Sequence, residues 1–406
     1  MTNDVRTSGH SSSSVAGHAS WGVGNAPVLW PLLAGNFVIG TGVMVVPGTL
    51  NEISGSLAIP VATAGQLITA GAVLMCVGAP LFAALVAGWD RRRLLALSML
   101  WFALAHFACA AAPDFAWLLP LRVLALVPPA IFTPQAAACL GLLVPPEQRG
   151  RAITFIFLGW SLASVLGMPL AAPVGGWFGW RSAFAIVGVL SLVSAAWVWR
   201  AMPDGVKPPP LSLAARKQAF RSPALMVCVA VTVLFAAGQF VQFSYFAPYF
   251  KQKLDTSPTE LGLYFMWFGA FGLLGNVVMS RTIDRVGADR AVMIGIVLMA
   301  ASLLLFPLGT SMLLAALVSV PWALGCFSSN SAQQARLVAL APSLAAASVA
   351  LNSSAMYAGQ AIGAATGGWM ITHSGMDSLH WAAFAGLVAA MAMSALATHY
   401  ARTRRA

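Results

Sequence analysis

Long apolar runs separated by short polar breaks organise the chain. Twelve such runs fall near 28–50, 61–88, 94–112, 116–144, 152–178, 182–200, 224–250, 259–280, 291–309, 312–340, 344–373 and 380–400. A bilayer's hydrocarbon core, about 30 Å thick, takes roughly 20 apolar residues per helical span. The runs show no period-two alternation, which argues against barrel strands. The pattern predicts an all-α integral membrane protein with twelve transmembrane helices.

Composition agrees, because 59% of the residues are hydrophobic and only 8% charged, against roughly a quarter charged in a soluble domain. The charges gather in the breaks, most densely in "AGWDRRRLLAL" at 87–97. With the N-terminus in the cytoplasm, eighteen of the twenty-two Lys and Arg residues fall on cytoplasmic segments. Arg181, Lys251 and Lys253 stay outside, and Arg122 lies within a span. The positive-inside rule then places both termini in the cytoplasm. Topology and attraction to anionic lipid headgroups account for the net charge of +11 without a nucleic-acid partner. Residues 1–26, rich in Ser, Gly and His with no apolar core, read as a disordered cytoplasmic tail rather than a signal peptide. The five cysteines lie inside apolar runs without CxxC spacing or nearby ligand sets, so neither metal nor disulfide is expected. HExxH, GxSxG and GxxxxGK[ST] are missing, and neither catalysis nor a cofactor is expected.

The longest polar break, 201–223, carries three prolines and then a basic amphipathic stretch. It reads as a cytoplasmic linker between six-helix units at 27–200 and 224–400, followed by a tail at 401–406. The units repeat: "GGW" at 175–177 recurs at 367–369, Pro146 at Pro342, and the basic break after the second run at "SRTIDRVGADR", 280–290, all at offsets of 192 to 197 residues. Duplicated six-helix bundles are an architecture of secondary transporters, with the site near the midplane between the halves.

Four stretches carry a family resemblance: "FVIGTGVMVVPGTLNEI" at 37–53, "LRVLAL" at 121–126, "GWSLASVLGMPLAAPVGGWFGWRSAF" at 159–184 and "NSAQQARLVALAP" at 330–342. The chain resembles the major facilitator superfamily, in particular its bacterial drug and sugar efflux branch, from Trp30 to Tyr400. The resemblance implies a multi-pass transporter of the bacterial inner membrane that exports a small organic molecule by alternating access in exchange for protons, and a monomer is expected. An importer or facilitator with an anion bound at Arg122, and a signalling or scaffold protein on the same fold, remain the alternatives.

Candidate residues follow from the same comparison. Asp90 and Arg91–Arg93 occupy the basic loop after the second helix, with Arg92 central to the triplet; Ala83 and Ala87 replace the family's glycine and aspartate there. The second copy keeps the acid as Asp284, followed by Arg285 and Gly287, which suggests a latch between halves beside a helix N-terminus. A purely topogenic role for the arginines is the alternative. Gly159, Gly167, Pro169, Gly175 and Gly176 resemble the antiporter motif of the fifth helix, although close packing alone would also explain them. Arg122 is an intramembrane cation and so a functional candidate, unless it snorkels toward Asp114. The family analogy adds cavity candidates: Asn36, Thr41 and Thr133; Gln239, Gln242, Phe246 and Tyr249 on the seventh helix; Trp322, Cys326, Ser329 and Gln333 on the tenth. No carboxylate falls mid-membrane, so Asp114 and then His106 are the candidate proton carriers, with a packing or surface role the alternative for His106.

Overall fold

The computed structural model describes residues 27–208 and 213–403. The predicted tail 1–26, the last three residues and positions 209–212 of the linker lie outside the described residues. The described chain is almost wholly helical. Eleven helices are long and apolar enough to cross a membrane: α1 (Leu29–Gly48), α2 (Val61–Phe82), α3 (Arg91–Ala111), α4 (Phe115–Leu143), α5 (Arg149–Phe178), α6 (Trp180–Ala201), α7 (Pro223–Leu254), α8 (Pro258–Val286), α9 (Ala288–Leu308), α10 (Met312–Leu340) and α12 (Met376–Tyr400). The twelfth, α11 (Ala345–Ser374), is 30 residues long and carries no Asp, Glu, Lys or Arg. Asn352, Ser353, Ser354 and Gln360 lower its hydropathy, and it is packed against α7 and α2.

Helix ends alternate between two faces. Breaks at 86–90, 144–148, 202–208, 287 and 341–344, with the short helix Leu213–Arg221, form a basic face, and breaks at 57–60, 112–114, 179, 255–257, 309–311 and 375 an opposite one. Local sequence sets several of these ends. Ser257, Pro258 and Glu260 start α8 with a reciprocal cap in which Ser257 N–H donates to Glu260 Oε2 at 2.8 Å and Glu260 N–H to Ser257 Oγ at 3.3 Å. Asp90 and Asp114 cap α3 and α4 through the backbone N–H groups of Arg93 and Trp117. Helix α5 widens over Ala163–Gly167, just before Pro169, whose missing N–H cannot join the normal ladder.

Within the first bundle α5 lies on α1 through its glycines. A Cβ at Gly159 would meet Phe37 N at 2.7 Å, one at Gly167 would meet Thr41 Cβ at 2.9 Å, and one at Gly175 would meet Thr49 Cγ2 at 2.7 Å. In the second bundle α11 repeats this crossing on α7, where Gly359, Gly363 and Gly367 press on the backbones of Val233, Ala237 and Val241. Small residues permit this proximity where no hydrophobic force draws helices together in lipid.

The bundles meet along α5 with α8 and α2 with α11. The first seam starts only at Ala163 on α5: Gly269 abuts Ser164 O, Gly262 abuts Pro169 O, and Gly176 abuts Pro258. In the second, the Tyr245 hydroxyl donates to Ala364 O at 2.8 Å and its ring lies against Gly65 of the first bundle and Gly368 of its own. The half of α5 on the basic side, Arg149–Leu162, has no comparable packing across the seam. The halves are therefore joined toward the opposite face, and the cleft between them opens toward the basic one.

Candidate functional site: the bundle interiors and the cleft

Arg122 lies at the end of the first segment of α4, where the helix breaks at Leu126 ahead of Pro128 and Pro129. It is 2% exposed. Its Nη1 donates to Gly42 O at 2.9 Å and its Nη2 to Val43 O at 3.0 Å, both on α1, while the guanidinium carbon sits 5.8 Å from the Phe184 ring centre. Burial of a cation at this depth is compensated by carbonyl dipoles rather than by a carboxylate. Gly42 has no room for a side chain, because a Cβ there would stand 2.5 Å from the Phe102 ring and 2.9 Å from Val187. A carboxylate cannot occupy that position beside the arginine.

The expected pairing of Arg122 with Asp114 does not form: Asp114 is exposed and caps α4. The partner is His106, fully buried on α3, with Nε2 3.5 Å from Arg122 Nη1 and Nδ1 2.8 Å from Phe102 O. Two N–H groups cannot face each other, so this geometry assigns a neutral imidazole with its proton on Nδ1 and its Nε2 lone pair toward the guanidinium. The surface alternative for His106 is thereby corrected. A lone histidine in an apolar run gives no sign of its tertiary partner.

Among the other first-bundle candidates, Asn36 and Thr133 are brought together: Thr133 Oγ1 donates to Asn36 Oδ1 at 2.8 Å and receives Trp160 Nε1 at 3.3 Å. Thr41 instead bonds back to Phe37 O and packs on Gly167. In the second bundle the stripe expected on α10 turns inward. Trp322 joins an aromatic cluster with Phe246, their ring centres 5.0 Å apart, and Phe306 and Phe268 close around them. Ser329 lies against Gly295 of α9, Cys326 bonds to Ala323 O, and Gln333 Nε2 donates to Cys228 O at 2.5 Å. Gln242 is fully buried with neither amide atom bonded, Gln239 is 6% exposed, and Tyr249 meets the Phe250 ring edge-on and the Phe306 ring at a tilt. The polar residues of α10 that are not buried include Asn330, one position from Ser329, with Ser331 and Gln334. A polar stripe in lipid packs against a neighbouring helix as readily as it lines a cleft, and periodicity alone does not separate the two.

The basic loop is built within the first bundle. Arg91 is 2% exposed and folds back on the carbonyls of Trp89, Val86 and Ala87; Arg92 Nε donates to Trp199 O at 2.7 Å and stacks over that ring. Asp90 also accepts from Gly205 N at 2.7 Å, which ties the linker's start to the loop. A cavity of about 520 Å³ lies there, lined by Trp89, Arg93, Asp204 and Lys207 among others.

Asp284 is exposed, forms no hydrogen bond or ion pair among the described residues, and stands next to an exposed Arg285, with Gly287 ending the helix at φ +84°; the latch expected between halves does not form in this cleft-open arrangement. The acid that engages is Asp289. It pairs with Arg336 Nε at 2.6 Å, and Arg336 further donates to Ser394 and Thr398, which joins α9, α10 and α12. Arg336, counted from sequence as a cytoplasmic-loop charge, is thus an interior residue of α10. Glu52, on the helical turn Leu50–Ser56, was also missed: its Oε2 is buried without a partner, and burial pushes its carboxyl above the usual carboxylate range.

The Major Facilitator Superfamily model matches residues 32–254 and 228–406, and the chain belongs to that family. Over 364 residues it is 24% identical to an uncharacterized MFS-type transporter, YbcL, of Bacillus subtilis (strain 168), covering 89% of this chain and 93% of that one. Over 253 residues it is 33% identical to a chloramphenicol resistance protein of Streptomyces lividans, covering 61% of this chain and 64% of that one. In fold it is similar to a bacterial homolog of the human lysosomal transporter Spinster in an inward-facing, unoccupied conformation (18% identity, TM-score 0.72, 92% and 95% covered). It is similar also to a D-xylose-proton symporter (15% identity, TM-score 0.74, 90% and 96% covered). The protein is a multi-pass membrane transporter.

Proposed function

We propose that the protein exports a small uncharged organic solute across a bacterial inner membrane by alternating access, in exchange for protons, acting as a monomer with both termini in the cytoplasm. The moving units are 27–200 and 224–400, joined by the linker 201–223. One observation carries the substrate reading: apart from Arg122 and His106, which face each other within the first bundle, the polar groups midway along the membrane-spanning helices are amides and hydroxyls, and no described carboxylate lies midway along such a helix. Such a lining suits a neutral, hydrogen-bonding molecule. The similarity to a chloramphenicol resistance protein supports export. Anion binding at Arg122, the basis of the importer alternative, is disfavoured because Arg122 is 2% exposed and already held by the Gly42 and Val43 carbonyls.

His106 takes the place of Asp114 as the proton carrier in this reading. A proton on His106 Nε2 would meet Arg122 Nη1, push the guanidinium off the α1 carbonyls and so convey protonation to the helix that α5 crosses. The test is expression in a host deleted for its own exporters, challenged with a panel of neutral and cationic toxic compounds. Raised tolerance to neutral compounds, lost with an uncoupler, supports the reading; tolerance to cations alone removes it.

A further inference from the structure

The Asn36–Thr133–Trp160 cluster has a counterpart in the second bundle. Thr232 Oγ1 on α7 donates to Asn352 Oδ1 on α11 at 2.7 Å, and Asn352 Nδ2 donates to Asn330 Oδ1 on α10 at 3.0 Å. Asn36 and Thr232 are 196 residues apart, Thr133 and Asn330 197, and Trp160 and Asn352 192, the same spacing as the repeats. Each bundle thus holds a polar node on its first, fourth and fifth helices, roughly 10–15 Å in from the basic ends at 1.5 Å per residue.

Burial around the two nodes repeats as well. On α4, Phe132, Gln135, Ala136, Cys139 and Leu140 are buried while Thr133, Pro134, Ala137 and Ala138 are not; adding 197 to each number gives the same pattern on α10. On α10 that open face reads Asn330, Ser331, Gln334 and Ala335. A face so polar is costly against lipid and belongs to a water-filled cleft.

The hydrogen bonds leave each node with one kind of spare group. The Thr133 hydroxyl proton goes to Asn36 and one lone pair receives Trp160, so a single acceptor lone pair remains. Asn330 spends its carbonyl oxygen on Asn352, and its Nδ2, which is not enclosed, keeps both N–H donors free. Asn36 Nδ2 donates to Leu32 O at 3.1 Å, which turns its carbonyl toward Thr133, and the Asn352 amide is assigned with its Nδ2 toward Asn330. From this we infer that Thr133 and Asn330 are the two polar walls of the substrate site, the first accepting and the second donating. They would recognise an uncharged molecule that carries a carbonyl, nitro or hydroxyl oxygen for Asn330 and a hydroxyl or amide N–H for Thr133. The inference rests on the export reading above and adds the residues and the hydrogen-bond polarity.

The test uses chloramphenicol, which has both kinds of group, and the purified full-length protein in lipid nanodiscs. Asn330→Leu and Thr133→Val should each weaken binding by about tenfold, the loss of one neutral hydrogen bond. Asn330→Gln, which retains an amide N–H, should stay within about threefold. Thr232→Val breaks the far end of the second node without touching the cleft, and should lower the melting temperature with less effect on binding. Wild-type binding unaltered by both Asn330→Leu and Thr133→Val overturns the assignment and leaves the export reading standing. A Thr232→Val loss as large as that of Asn330→Leu overturns it too, because the node would then be structural. A wild type that binds neither chloramphenicol nor any neutral member of the panel overturns the export reading itself.

Discussion

Leucine at Gly269 should block transport by excluding one conformation rather than by unfolding the protein. In the cleft-open arrangement a Cβ at position 269 of α8 would sit 2.5 Å from Ser164 O and 3.1 Å from Val165 Cα of α5. Both neighbours are backbone held in the widened turn of α5, so neither can give way as a flexible side chain would. Overpacking of this kind costs roughly 1–3 kcal/mol, and the contact is between bundles, so the cost applies to the state in which α5 and α8 touch there. At about 1.4 kcal/mol per tenfold, the cleft-open state should lose population by roughly 5- to 150-fold. Spin labels at exposed Phe157 and Leu274 would report the change as a redistributed distance between α5 and α8 in Gly269→Leu, and substrate transport should fall with it. Unchanged distances together with transport within twofold of wild type would refute the claim that this seam is one the protein opens and closes. Gly167→Leu behaves differently, because Gly167 packs on Thr41 within one bundle; it should lower stability in both conformations.

Arg122→Ala should abolish transport and Arg122→Lys keep part of it, measured as substrate exchange in proteoliposomes, because a lysine can still reach one of the two α1 carbonyls. His106→Gln should lose accumulation driven by a pH gradient while keeping exchange, whereas Asp114→Asn, where asparagine caps a helix nearly as well, should alter neither. Arg336→Leu should cost stability at the low end of the roughly 3–5 kcal/mol of a broken buried pair, since Asp289 is 43% exposed; urea unfolding checks this. Glu52 is raised by burial, so its charged form is disfavoured in the fold and stability falls as pH rises from the ordinary carboxylate range through the raised value. Glu52→Gln should therefore melt higher than wild type at pH 8, with the difference gone near about pH 4.

The helical architecture was legible because lipid imposes length and apolarity on every span, and the breaks just before Arg91 and Arg149 mark where helices end, although α8 runs on through Arg281 to Val286. The repeat was legible in "GGW" and the basic breaks, and the α8 start in "SPTE", because a cap is a local chemistry. Partners of interior polar residues were not. Arg122 stands eight residues from Asp114 and sixteen from His106, and only the packing of α3, α4 and α1 decides which it meets. Asp284 matched a motif yet has no partner among the described residues in the cleft-open arrangement, while Asp289 five residues later meets Arg336 because the start of α9 faces α10. The offset of 197 residues linking Thr133 to Asn330 was available in the sequence, but an isolated Asn after two serines gave no reason to apply it.

Proton-coupled export is tested most directly by uptake of a radiolabelled neutral compound, chosen from those to which the protein confers tolerance, into proteoliposomes that hold the purified protein with its basic face outward, under an imposed pH gradient with the interior acidic. The compound should accumulate above equilibrium, lose that accumulation when the gradient is dissipated with nigericin, and fail to accumulate in Arg122→Ala. Uptake that ignores the gradient, or that persists in Arg122→Ala, would contradict proton-coupled export.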